Sequence, residues 1–250
     1  MGDALRLFGL KALVTSGGGG IGEAVSRTLA KHGATVLAVD TINSGVEQQF
    51  ASVKGIDGRS ASFMSAKHMP ALIEEAVDHL GGLDILINDF PERAGPPISD
   101  GDKRADKLLE VRAVLITAIC CAALPYLKKS PQGRIINLGF LRSVFAADGA
   151  VAFAKSTQNL AAMTRTLGTQ NGEFGITANY IQPGAIMTPS SREAFRKDMA
   201  LRDFCIANSA ARRLGEPIDV AKVALFLASD DAVFVSGTGV LVDGGSARDQ

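Results

Sequence analysis

The sequence predicts a doubly wound α/β domain, with a mostly parallel sheet and helices on both faces, and three observations predict it. Short β-branched runs alternate with longer helical patterns, glycine or proline bounds most of the runs, and a cluster of glycines separates the first run from the first helix. The 250 residues are 46% apolar, enough for a large core, and no composition break or linker divides them, so one domain over 1–250 is expected.

Strands are expected at Lys11–Ser16, Ala34–Asp40, Leu83–Asp89, Gly133–Gly139, Ile176–Ile181 and Gly239–Asp243. Between the first two, Ile21, Val25 and Leu29 recur every fourth residue with Ala24 beside them, which gives a helix one apolar face, and Gly33 stops it. Two long apolar helices, about 102–129 and 147–170, flank the fourth of these strands. Helices apolar over most of their surface pack between subunits, so a homo-oligomer, dimer or tetramer, is expected. The polar, irregular stretch 189–215 follows a strand end and suits a lid over a substrate.

Lysine plus arginine equals aspartate plus glutamate at 26 each, with no basic stripe, so nucleic acid and anionic membranes are not expected partners; a small-molecule ligand is. The first ten residues are too short an apolar stretch for a signal peptide, and no later run approaches the ~18 apolar residues of a spanning helix, so a cytoplasmic protein is expected. Three cysteines, two of them adjacent at Cys120 and Cys121, argue for buried free thiols and against a disulfide framework or a metal site.

Thr15, Ser16, Gly17, Gly18, Gly19, Gly20, Ile21 and Gly22 lie between a strand and a helix, where glycines let backbone amides approach a pyrophosphate at the positive end of the helix. Asp40 closes the second strand eighteen residues after Gly22. A carboxylate there accepts hydrogen bonds from both ribose hydroxyls of NAD and repels a 2′-phosphate, and no cation stands in the loop to attract one. The expected fold is therefore Rossmann-type and the expected cofactor NAD.

With these residues the chain resembles the short-chain dehydrogenase/reductase family over nearly its whole length. Thr15–Gly22 is similar to the family's TGxxxGIG loop with Ser16 in place of the first glycine; Leu83–Asn88, Asn179–Thr188 and Arg213–Gly245 also match, the last carrying RLGEP, DVA, FLASD and SGTGVLVDGG. The resemblance implies Gly20, Ile21 and Gly22 under the pyrophosphate, with Thr15, Ser16 and Gly17 completing the loop, Asp40 on the adenosine ribose and Asn88 beside the adenosine half. It implies Pro183, Gly184, Ile186 and Thr188 around the nicotinamide, and Lys155 on its ribose.

The departures gather where the chemistry belongs. Four residues before Lys155, where the family has a catalytic tyrosine, stands Val151; at the serine position stands Phe140 or Gly139; at the helix asparagine stands Arg112; and the NNAG motif reads Asn88, Asp89, Phe90, Pro91. The two tyrosines, Tyr126 and Tyr180, are far from the required place in the chain, and His32, His68 and His79 lie at helix ends or polar surfaces. Carbonyl reduction needs a proton donor at the oxygen, which valine is not. Losing the serine's hydrogen bond costs about 3 kcal/mol. Lys155, Arg112 and Ser143 are the candidates to fill these roles; Arg112 can also bind a carboxylate or halide, or pair with Asp89.

Three functions fit these residues. The nominal one is an NAD-dependent oxidoreductase on a small carbonyl or alcohol with a tyrosine-free mechanism. The others are a dinucleotide-binding pseudoenzyme, acting as a sensor or as partner of an active paralogue, and non-redox chemistry like that of the halohydrin dehalogenases.

Overall fold

The computed structural model describes residues 5–62, 65–90 and 96–246. Seven parallel strands form one sheet: β1 (Lys11–Thr15), β2 (Thr35–Asp40), β3 (Ile56–Ser60), β4 (Ile85–Asn88), β5 (Arg134–Leu138), β6 (Thr177–Pro183) and β7 (Gly239–Val242), in the spatial order 3-2-1-4-5-6-7. The order reverses between β1 and β4, which opens a crevice at their carboxyl ends. Helices cover both faces: α1 (Gly20–Lys31) and α8 (Pro217–Ala228) on one, α3 (Met69–Leu80), α4 (Lys103–Leu127) and α5 (Ala150–Asn171) on the other, with short α2 (Val46–Phe50) over the β3 edge.

Each expected strand is present, with bounds differing by up to two residues. β3 was not expected: its residues Ile56, Asp57, Gly58, Arg59 and Ser60 alternate buried and exposed at the sheet edge and carry few β-formers. Gly58 is required there, because a Cβ would sit 2.3 Å from the Val46 carbonyl of α2. In α1, Val25 and Leu29 are fully buried, as the spacing predicts, and Gly33 follows the helix at φ +96°.

Three expectations need correction. The stretch 189–215 is regular in its first two thirds, forming α6 (Pro189–Lys197) and α7 (Met199–Ala207); the Thr188 and Asp198 side chains cap their amino ends. Cys121 is exposed, whereas Cys120 and Cys205 are buried. And α4 does carry an eighteen-residue window of mean hydropathy 1.9, apolar and long enough to cross a membrane. Here it packs against α3, α5 and the sheet, and its apolarity reflects burial of Leu115, Ile116, Ile119 and Leu127 on the inner side while Val111 and Val114 stay exposed on the outer.

Candidate functional site

The carboxyl ends of β1 and β2 build the first half of the site. Gly17 packs where a Cβ would meet Ala38 and the Val14 carbonyl at 2.8 Å, and at Gly22 a Cβ would lie 2.0 Å from the Ser16 carbonyl. These contacts wrap the loop tightly around the start of α1. Ser16, in the place of a glycine, takes the left-handed backbone a glycine would take, φ +49°, at a cost of order 1 kcal/mol. Its hydroxyl, 3.3 Å from the Asp89 carbonyl, helps to hold it there. The amino-terminal cap of α1 is Gly19, and among the described residues no side chain caps the helix's first amides. That leaves positive helix-end amides facing the crevice, as an anion requires.

Asp40, only 8% exposed, stands beside them. One carboxylate oxygen accepts from the Gly18 amide at 3.0 Å and the other from the Thr41 amide at 2.7 Å, which fixes the group and leaves lone pairs for two hydroxyls. A cradle that a Cβ would fill and a fixed carboxylate at the second strand end fit a dinucleotide.

From β4, Asp89 reaches the same crevice: its amide donates to the Thr15 hydroxyl at 2.9 Å, and its carboxylate lies 3.6 Å from the Arg112 guanidinium. Burial pushes this carboxyl up from about 3.8 to about 6, against the pull of Arg112, with Asp40 adding a smaller upward push. Folded chain therefore keeps a proton on Asp89 that unfolded chain has released between about pH 4 and 6. That contribution is complete below pH 4 and lost as pH rises through 6. Asp89→Asn removes it, so the variant's unfolding free energy should gain on the wild type by about 2–3 kcal/mol between pH 4 and 7.5 in urea titrations. An unchanged difference would refute the assignment.

Arg112, buried on α4, donates to the carbonyls of Phe90 (3.1 Å) and Leu138 (2.8 Å) and stacks over the Phe140 ring at 4.3 Å. It ties β4, α4 and β5 together. Asn88 is fully buried; its carboxamide donates to Asn137 on β5 at 2.8 Å and to Cys120 on α4, so the side chain is turned into the core and not to the crevice. Pro91 lies outside the described residues.

The other half of the site lies between β6, α5 and α7. Thr157 on α5 donates to the Gln182 carboxamide oxygen at 3.0 Å, and the Gln182 nitrogen donates to the Phe140 and Pro183 carbonyls at 2.8 and 3.0 Å. Gly139 makes room for this side chain, since a Cβ there would be 2.3 Å from it. One turn before Thr157, Phe153 meets Phe145 edge to face at 5.4 Å between centroids. Phe153, Thr157, Gln182, Pro183 and Gly184 share the wall of a cavity of about 460 Å³. Ile186 is core, 1% exposed, and Thr188 caps α6 through the Ser191 amide while its methyl faces Gly20.

Comparison with known proteins agrees with this architecture. A family model described as enoyl-(acyl carrier protein) reductase matches residues 17–247. The chain belongs to the short-chain dehydrogenase/reductase family. It is 29% identical to oxidoreductase UcpA of Escherichia coli over 252 residues, covering 96% of this chain and 95% of that one. It is 30% identical to L-fucose dehydrogenase of Mus musculus over 254 residues (98% and 91%) and 29% identical to the 3-oxoacyl-acyl-carrier-protein reductase FabG of Vibrio cholerae over 244 residues (96% and 98%). Members of this family bind nicotinamide dinucleotides.

Against that family the structure corrects the register on α5. Val151 is 69% exposed, and Lys155, 54% exposed, pairs at 2.6 Å with the still more exposed Asp106 of α4. Neither lines the cavity. Phe153 and Thr157, again four apart and two positions further on, do, together with Ala150, Ala154 and Gln158. The motif had settled on Lys155 because Thr157, which holds the inward place, is not a lysine. The usable signal was the helix's own stripe, Ala152, Ser156, Leu160, Thr164 and Gly168, which is buried against the protein and fixes the inward side.

The three catalytic candidates are accordingly not brought together. Lys155 is on the outer surface, Arg112 donates within the protein, and the Ser143 hydroxyl is 2.9 Å from that of Ser191 in α6. Of the cofactor candidates, Thr15, Ser16, Gly17, Gly20, Ile21, Gly22 and Asp40 cluster at the first half of the crevice, and Pro183, Gly184, Ile186 and Thr188 flank the second.

Proposed function

We propose that this protein binds NAD or NADH and does not carry out the family's tyrosine-dependent carbonyl–alcohol chemistry. The observation that carries the reading is the contrast between the two halves of the crevice. The glycine loop and Asp40 keep a cradle and a fixed carboxylate that suit a dinucleotide, whereas the inward positions of α5 and the end of β5 carry Phe153, Thr157, Gly139 and Phe140. When bound, the nicotinamide supplies a hydride; the reaction also needs a proton at the carbonyl oxygen. Phenylalanine has none, and the Thr157 hydroxyl, with no basic partner, already donates to Gln182.

This displaces the tyrosine-free oxidoreductase as the leading reading, since Lys155, Arg112 and Ser143 are all engaged elsewhere. With NADH bound and a broad panel of ketones and aldehydes, loss of nicotinamide absorbance should not exceed the protein-free rate. Turnover on the order of 1 s⁻¹ or faster would be ordinary enzymatic catalysis and would refute the proposal.

On this reading the chain is a cytoplasmic homo-oligomer, dimer or tetramer, that responds to a small molecule, with 189–215 as its lid. The exposed Val111, Val114 and Val151 of α4 and α5, and Phe226, Val233 and Phe234 around α8, are the apolar surfaces such an assembly would cover. Asp40 sets the cofactor preference. Wild type should favour NADH over NADPH by at least about tenfold, and Asp40→Asn should bring the two within about threefold in calorimetric titrations. An unchanged preference in the variant would remove Asp40 from that role.

A further inference from the structure

The 460 Å³ cavity has walls that the dinucleotide half of the site does not use. Phe153 enters it from α5 and Phe204 from α7, and the Arg142 guanidinium lies between the two rings at 5.7 and 5.4 Å from their centroids. That guanidinium also donates to the carbonyls of Phe145, Ala146 and Ala147. Tyr180 forms the floor: its ring lies flat on β7, where a Cβ at Gly239 would stand 2.0 Å from Cζ. The aromatic walls are thus fixed before any ligand arrives.

The charges at the cavity are engaged. Arg142 is held by backbone, Arg213 pairs with Asp219 at 3.0 Å, and Asp243 accepts from the Gly245 amide. Thr157 and Gln182 satisfy one another. A charged ligand would surrender its hydration for little in return, whereas a flat apolar one gains aromatic contact and area burial. The volume lies within the range of ordinary small-molecule sites.

We propose that this cavity holds a flat, uncharged, ring-shaped small molecule between α5, β6 and α7. This deepens the proposed function by naming the class of molecule sensed. It stands on walls away from the glycine loop, so it can fail or hold independently of dinucleotide binding.

The chain has no tryptophan, so the emission anisotropy of 2-naphthol can be followed against a tyrosine background alone. Titration of the whole protein should give saturable binding, with a dissociation constant on the order of 10–100 μM. Cys205 borders the cavity and Cys121 lies on the outer surface of α4. With 2-naphthol at ten times its dissociation constant, alkylation of Cys205 by N-ethylmaleimide should slow about tenfold while that of Cys121 is unchanged. Absence of saturable binding, or binding that leaves the Cys205 rate unaltered, would overturn the proposal. Failure to bind NADH would sink the proposed function and leave this result standing.

Discussion

Arg112→Ala should destabilise the protein by about 3–5 kcal/mol, measured by urea unfolding at pH 7. The guanidinium is buried, and its removal strands two carbonyls, those of Phe90 and Leu138, and leaves the Asp89 carboxylate without its cation. The face of Phe140 loses its stacking partner as well. Arg112→Lys should recover only part of the loss, because an ammonium is a point charge and cannot span both carbonyls and the carboxylate in one plane. A loss under about 1 kcal/mol would show that the arginine is instead a solvated or ligand-facing group.

Gly22→Ala should weaken NADH binding by about 1000-fold, close to 4 kcal/mol. The new methyl would lie 2.0 Å from the Ser16 carbonyl, a backbone atom that cannot step aside without moving the loop. Moving the loop disperses the amides at the start of α1 and breaks the Gly18 contact with Asp40, so both recognition elements fail together. Gly172→Ala, at the end of α5 and away from the loop, is the control: a Cβ there meets nothing within 4 Å, and NADH affinity should stay unchanged.

The fold was legible in the sequence because it is written redundantly. Six parallel strands announce themselves by β-branched runs bounded mostly by glycine or proline, and α1 by the spacing of Ile21, Val25 and Leu29. β3 was not, because an edge strand buries every other residue only and tolerates Asp57, Gly58 and Arg59. Gly17 and Gly22 were legible for a related reason: steric exclusion of a Cβ leaves glycine as the one choice. The chemical half was legible as a loss and misread in place. The family resemblance suggested Lys155, the lysine of this helix, but which side of a helix faces a crevice is decided by packing against the sheet, and that packing turns Phe153 and Thr157 inward. For Arg112 the sequence left a bound anion and a pairing with Asp89 both open, and the structure shows the pairing at 3.6 Å; Asn88 was set beside the adenosine by the family resemblance, and burial turns its carboxamide to Asn137 and Cys120.

The most direct test is calorimetric titration of the whole protein with NADH. One saturable site is expected, with a dissociation constant in the micromolar range, near −8 kcal/mol, abolished by Gly22→Ala. Absence of any heat of binding with NADH, or binding indifferent to Gly22→Ala, would contradict it, because the loop and Asp40 would then be a relic of the fold and not a cofactor site.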